Sequence, residues 1–141
     1  MNGINLAQAE AVIDAALAAG LERKTRPLAI VVTDAGGHVK AFKKQDGASN
    51  LRLEMAVGKT CASLALGRAS SLVRQRAEER PLFMDYLIRA SDGKIFPEGG
   101  AVLIRSIDGE VIGAVGVTGD TQETDEELAV IGVTAAGLKT D

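Results

Sequence analysis

The stretch Ile30-Val31-Val32-Thr33-Asp34-Ala35-Gly36-Gly37-His38-Val39-Lys40-Ala41-Phe42 decides the architecture. From Leu28 to Thr33 the apolar residues fall on both alternating positions, the pattern of a strand covered on both faces. Asp34 to Gly37 carries turn chemistry, because glycine tolerates positive φ, and His38 to Lys43 then returns antiparallel. A second ribbon reads the same way: Ala101 to Ser106 and Glu110 to Thr118 flank an Asp108-Gly109 turn. Hairpins with such short turns cannot build a parallel doubly wound sheet, which needs long crossovers. With helical segments around them, they define an α+β chain.

The helical segments follow from caps and spacing. Asn5 with Gln8 forms a capping-box pair, and Val12, Ile13, Ala16 and Leu17 keep helical spacing until Gly20 offers a stop. Leu51, Met55, Ala56, Ala62 and Leu66 predict a second helix ending at Gly67. A third begins near Ser70 or Ser71. Pro81 suits the first position of a fourth, with Leu82, Phe83, Tyr86 and Leu87 on one face and Ser91-Asp92-Gly93 at its end. Ile95 and Phe96 read as a short strand before the loop Pro97-Glu98-Gly99-Gly100. Thr124 and Glu127 form the capping pair of a closing helix through Leu128, Ile131, Ala135 and Leu138.

Composition bounds the rest. The chain of 141 residues suits one domain, and with 3% aromatics and no Trp its core must be aliphatic and Ala-rich. The net charge of −3, with basic residues scattered, excludes a phosphate-backbone footprint, so no nucleic-acid partner is expected. Met1 to Leu6 lacks the features of a signal peptide and no apolar run approaches a membrane span, which reads as a soluble cytoplasmic protein. Cys61 is the single cysteine, so no intrachain disulfide exists; within its helical pattern it is expected as a small buried hydrophobe.

His38 is the only histidine, and an imidazole is both a proton carrier and a common ligand to metal or haem iron. Under strict alternation it shares a strand face with Lys40 and Phe42. Its alternatives are a ligand contact and a plain turn-end hydrogen bond. One His and one Cys cannot assemble a closed zinc site within one chain, so no metal site is expected. No Ser lies in a nucleophile elbow. Gly113-Ala-Val-Gly116-Val-Thr-Gly119 has the wrong spacing for a dinucleotide fingerprint, and Asp120, Glu123, Asp125, Glu126 and Glu127 would repel an added anion; these glycines suit close helix packing instead. On the second helix, Glu54 and Lys59 lie five positions apart, about 140 degrees around the axis, so they form no local ion pair and one can turn inward. Lys59 at the edge of the apolar face either holds an anion as a partly desolvated amine or snorkels to water.

As a whole the chain resembles the GlcG/HbpS family, which includes glycolate-operon GlcG proteins, haem-binding HbpS proteins and the C-terminal domain of PduO-type corrinoid adenosyltransferases. The resemblance rests on the opening helix Leu6 to Ala19, the Asp34 to Phe42 hairpin, the Ala56-Val-Gly-Lys59-Thr segment, the Pro97-Glu-Gly99-Gly100 loop, and Gly109 to Gly119 followed by Asp125-Glu126. It implies a profilin-like fold, a central five-stranded antiparallel sheet with helices on both faces, and assembly as a homo-oligomer. It admits haem or a corrinoid as ligand, with His38 the only imidazole available to haem iron. The first helix contains no His, whereas a haem-binding PduO-type relative uses one there, so that ligand does not carry over. Axial ligation by Lys, Met, Tyr or a carboxylate stays open.

These readings predict a small-molecule binding or accessory protein, with Asp34, His38, Arg52, Lys59, Gly99 and Gly100 as candidate ligand-holding residues. The alternative is a cofactor-independent isomerase or tautomerase acting on a small carboxylate. There Lys59 would hold the anion, and His38 or Glu54 would move the proton.

Overall fold

The computed structural model describes residues 3–140. Met1, Asn2 and Asp141 lie outside the described residues, and with the first two lies the start of the N-terminal stretch read above. In chain order the elements are α1 (Leu6–Arg23), β1 (Ala29–Asp34), β2 (Val39–Lys44), α2 (Arg52–Leu66), α3 (Ser70–Glu79), α4 (Pro81–Ala90), β3 (Ala101–Arg105), β4 (Val111–Thr118) and α5 (Gln122–Ala135). The two hairpins join through β1 and β4 into one antiparallel sheet of order β2-β1-β4-β3.

The α+β class stands, but among the described residues the sheet has four strands, not five. Ile95 and Phe96 do not pair with it. The Phe96 N–H donates to the Gly58 carbonyl of α2 at 3.1 Å, and Ile95 is buried with Ala62, Val73 and Met84. The helical layer thus takes both the backbone hydrogen bond and the apolar surface of a segment whose composition alone suited a strand.

Helices cover both faces. Ile30, Val32, Val102, Ile104, Val115 and Val117 meet Val12, Ile13 and Ala16 of α1 and Leu128, Ala129 and Val133 of α5. The other face carries α2, with α3 and α4 beyond it. Gly116 sets that approach, because a Cβ there would run into the Ala56 carbonyl oxygen and lie 3.0 Å from the Thr60 methyl group. Of the three glycines expected to admit a helix, Gly116 does so; Gly113 instead lies against the Thr33 carbonyl of β1 and Gly119, beyond β4, against the Pro27 carbonyl.

Three local expectations are corrected. Helix α1 runs through Gly20 to Arg23 and is capped by Lys24 in the left-handed region; at Gly20 the missing side chain makes room for Leu28, whose Cδ1 would lie 2.7 Å from a Cβ. Helix α5 is capped by Thr121, whose hydroxyl accepts the Thr124 N–H at 3.2 Å, so the cap lies three residues earlier than Thr124. Strict alternation fails in β2. The register shifts between Val32↔Ala41 and Thr33↔Val39, leaving Lys40 as an extra residue that breaks the common face of His38 and Phe42.

Candidate functional site

A cleft of about 530 Å³ opens beside α2. The β1–β2 turn supplies Gly36, Gly37 and His38; α2 supplies Leu53, Glu54, Val57, Gly58 and Cys61; the segment after α4 supplies Gly93, Lys94 and Phe96. Glu54, Val57, Gly58 and Cys61 follow i, i+3, i+4, i+7 spacing, one face of a helix. Ala56, Lys59, Thr60 and Ser63 follow the same spacing on another face and are buried. Helix α2 therefore presents one face to the sheet and another to the cleft.

The turn builds the cleft's lip around one carboxylate. Asp34 Oδ1 accepts the N–H groups of Gly36 at 2.9 Å and His38 at 3.0 Å, and lies 3.2 Å from His38 Nδ1. Those backbone donors, the His38 N–H foremost, hold the Asp34 carboxyl below its ordinary range. A Cβ at Gly36 would stand 3.0 Å from the imidazole, so glycine there lets the ring fold back over the turn. Gly37, with φ of 86°, takes the left-handed conformation that closes the turn. An ionised carboxylate only accepts, so the 3.2 Å contact suits a His38 whose Nδ1 carries the hydrogen and whose Nε2 points away from Asp34; the side chain is 82% exposed. Leu53, Val57 and Phe96 supply apolar lining, beside the charged Glu54 and Lys94. Cys61 is half-buried, and burial pushes its thiol up; it lines the cleft, which its expected role as a buried hydrophobe did not include.

The remaining candidates converge elsewhere. Lys59 is 2% exposed; its Nζ donates to the Val117 carbonyl at 3.0 Å and lies 3.5 Å from Asp125 Oδ2. Asp125, equally buried, accepts the Asp120 N–H at 3.0 Å. Burial pushes the Lys59 amine down and the Asp125 carboxyl up, each opposed by the attraction of the other. Arg52 Nη1 donates to Thr118 Oγ1 at 2.9 Å. The Gly99 N–H donates to Gln122 Oε1 at 2.8 Å, and Gly100, with φ of 134°, passes so close that a Cβ would meet Lys59 Nζ at 2.8 Å. Lys59, Arg52, Gly99 and Gly100 thus join α2, β4, α5 and the loop before β3, while His38 and Glu54 line the cleft and Asp34 reaches it only through His38. Lys59 neither snorkels nor lines the cleft.

Sequence reasoning missed Lys94, Phe96 and the role of Asp125. The two faces of α2 were legible in its spacing. The approach of residues 93–96 depends on tertiary packing and left no local signal. Among the described residues, no group of three or more His, Cys, Asp or Glu side chains could hold a metal ion.

The chain belongs to the HbpS-like family: the model of that family, described as haem degrading protein HbpS-like, matches residues 4–134. No curated protein matches it in sequence. Among solved structures, it is similar to protein ORFY of Klebsiella pneumoniae, with TM-score 0.86 and 23% identity over 97% of this chain and 92% of that one. The structure of a PduOC–haem complex superposes with TM-score 0.85 and 21% identity over 98% of each chain. A double mutant of Streptomyces reticuli HbpS gives 0.81 and 19% identity over 95% of this chain and 87% of that one. Among the described residues no helix is long and apolar enough to cross a membrane.

Proposed function

We propose that this protein binds a small flat cofactor, haem, in the cleft between the β1–β2 turn and α2, where His38 would be the residue that holds its iron. The observation that carries this reading is the Asp34–His38 pair: a carboxylate holds Nδ1–H at 3.2 Å and leaves Nε2 free at the lip of the cleft. Histidines that ligate metals donate their other ring N–H in this way, which fixes the tautomer and raises ligand basicity. The volume of about 530 Å³ falls within the range of cofactor pockets, roughly 300–1,000 Å³. Gly37 gives it a side-chain-free stretch, with only Cys61 Sγ within 4 Å of where a Cβ would stand, against which a flat macrocycle can lie. Membership of the HbpS-like family and the likeness to a protein solved with haem support the same ligand.

Haem bound there would supply redox-active iron. The chain's own part is to present Nε2, to hold the imidazole through Asp34, and to shield one face of the ring with Leu53, Val57 and Phe96. The isomerase alternative is not carried forward, because the amine assigned to hold its anion is engaged by Asp125 and Val117.

Haemin titration tests the proposal. A saturable Soret shift with one equivalent per chain is expected, and His38→Ala should abolish it or move it to the spectrum of a different axial ligand. A wild-type titration without saturation, or a His38→Ala spectrum identical to wild type, would overturn the assignment. The family description also names haem degradation. Ascorbate in air separates the two activities, since a binder keeps its Soret band and a degrader bleaches it.

A further inference from the structure

A second, smaller cleft of about 290 Å³ adjoins the first, and the two share the wall formed by Gly36, Gly37, Cys61 and Lys94. Beyond that wall the smaller cleft is lined by Ala35, Leu64, Ala65, Ser91 and Ile95, so Lys94 is its only charged residue. Ser91 is already committed: its hydroxyl donates to the Ile88 carbonyl at 2.9 Å and accepts the Ile95 N–H at 3.3 Å. Among the described residues, neither Lys94 nor Glu54 of the larger cleft forms an ion pair. The backbone that carries Lys94 is fixed, because the turn after α4 is closed by the Gly93 N–H on the Ile88 carbonyl at 2.8 Å and the Lys94 N–H on the Ser91 carbonyl at 3.2 Å, while its side chain is exposed.

We infer that the two clefts form one bipartite groove that takes a flat apolar ligand bearing a carboxylate, with the ring in the larger cleft and the carboxylate paired to Lys94 at the waist. Charge sets the orientation. Glu54 repels an anion from the larger cleft, while the smaller one offers a lone cation among apolar and already bonded groups. This inference rests on the proposed ligand site and adds the group that fixes ligand orientation. The Cys61 thiol, which lines both clefts, lies beneath a ligand seated across the waist. Its alkylation therefore reports occupancy there.

The test uses protoporphyrin IX, which has two carboxylates and no iron, beside its dimethyl ester, with the full chain and Lys94→Gln. Protoporphyrin IX should bind and slow alkylation of Cys61 by N-ethylmaleimide. Lys94→Gln should weaken its binding about three- to fivefold, the scale of an exposed ion pair, and leave the ester unaffected. Equal weakening of acid and ester, no effect on either, binding without protection of Cys61, or no binding of the acid would each overturn the inference. These outcomes are separable from failure of the haem reading: the iron-free ring does not need His38, and a Lys94-dependent acid without a haemin Soret shift would keep the groove and remove the axial ligand.

Discussion

Replacing Lys59 by methionine keeps the aliphatic stem and removes the ammonium, leaving the Asp125 carboxylate in a site where it is 1% exposed. Asp125 then keeps the Asp120 N–H but loses its cation. The carboxyl can escape that cost by taking a proton, which bounds the penalty. From the ordinary value of 3.8, protonation at pH 7 costs about 4.4 kcal/mol, at about 1.36 kcal/mol per pH unit. Loss of the hydrogen bond to the Val117 carbonyl adds about 1 kcal/mol. The expected destabilisation at pH 7 is therefore roughly 3–5 kcal/mol, the range for a buried pair broken on one side. The sign with pH follows from the raised Asp125 value: its burden is absent below 3.8 and grows as pH rises through the folded value. At pH 5 the same ceiling is about 1.6 kcal/mol, so the variant should recover up to about 2.7 kcal/mol relative to wild type. Urea unfolding at both pH values measures this, and Lys59→Met with Asp125→Asn should remove the pH dependence. A loss below about 1 kcal/mol at pH 7, or an equal loss at both pH values, would mean that Asp125 does not depend on the Lys59 ammonium.

Asp34→Asn retains an acceptor for the Gly36 and His38 N–H groups but removes the charge beside the imidazole, so haemin affinity should fall roughly 10- to 100-fold; an unchanged titration would count against His38 as ligand. In the wild type, the Gly36 and His38 amide resonances should follow the Asp34 carboxylate with a midpoint below 3.8, since its folded value is lowered; the turn's stabilisation is present above 3.8 and lost as pH falls through the folded value. A midpoint at or above 3.8 in an NMR titration would remove that account. Gly116→Ala should cost roughly 1–3 kcal/mol and toward the upper end, because the added methyl meets the backbone of α2 at Ala56; thermal melting with an unshifted midpoint would show that α2 can retreat.

The hairpins, the α+β class and most helix limits were legible because each is written in local chemistry. Gly67 and Pro81 occupy the cap and first-turn positions their residue types favour, and the Asp34 to Gly37 turn has the glycine its φ requires. Two errors were local, the α5 cap at Thr121 and the extra residue Lys40 in β2, and the others arose where a residue answers to a more distant neighbour. Gly20 resembled a stop but accommodates Leu28; Ile95 and Phe96 resembled a strand but belong to the helical layer. The candidate site divided for the same reason. Asp34 and His38 are four residues apart in one turn, so sequence could unite them, whereas the partner of Lys59 lies 66 positions away.

That division gives the buried pair a bearing on the cleft without any contact to a ligand. Lys59 ties α2 to β4 and α5 from the sheet side, while Glu54, Val57, Gly58 and Cys61 of the same helix form a wall of the cleft. A helix bonded from beneath holds its opposite face in one position, which is what a site needs if a flat ligand is to meet His38 Nε2 at one end and Lys94 at the other. The consequence is a specific separation of effects. Lys59→Met should lower stability far more than ligand affinity measured at a pH where the variant is folded, whereas Asp34→Asn should do the reverse. Chemical unfolding and haemin titration on both variants would show it, and a Lys59→Met protein that is folded at pH 5 yet binds haemin no better than His38→Ala would mean that the amine serves the ligand directly.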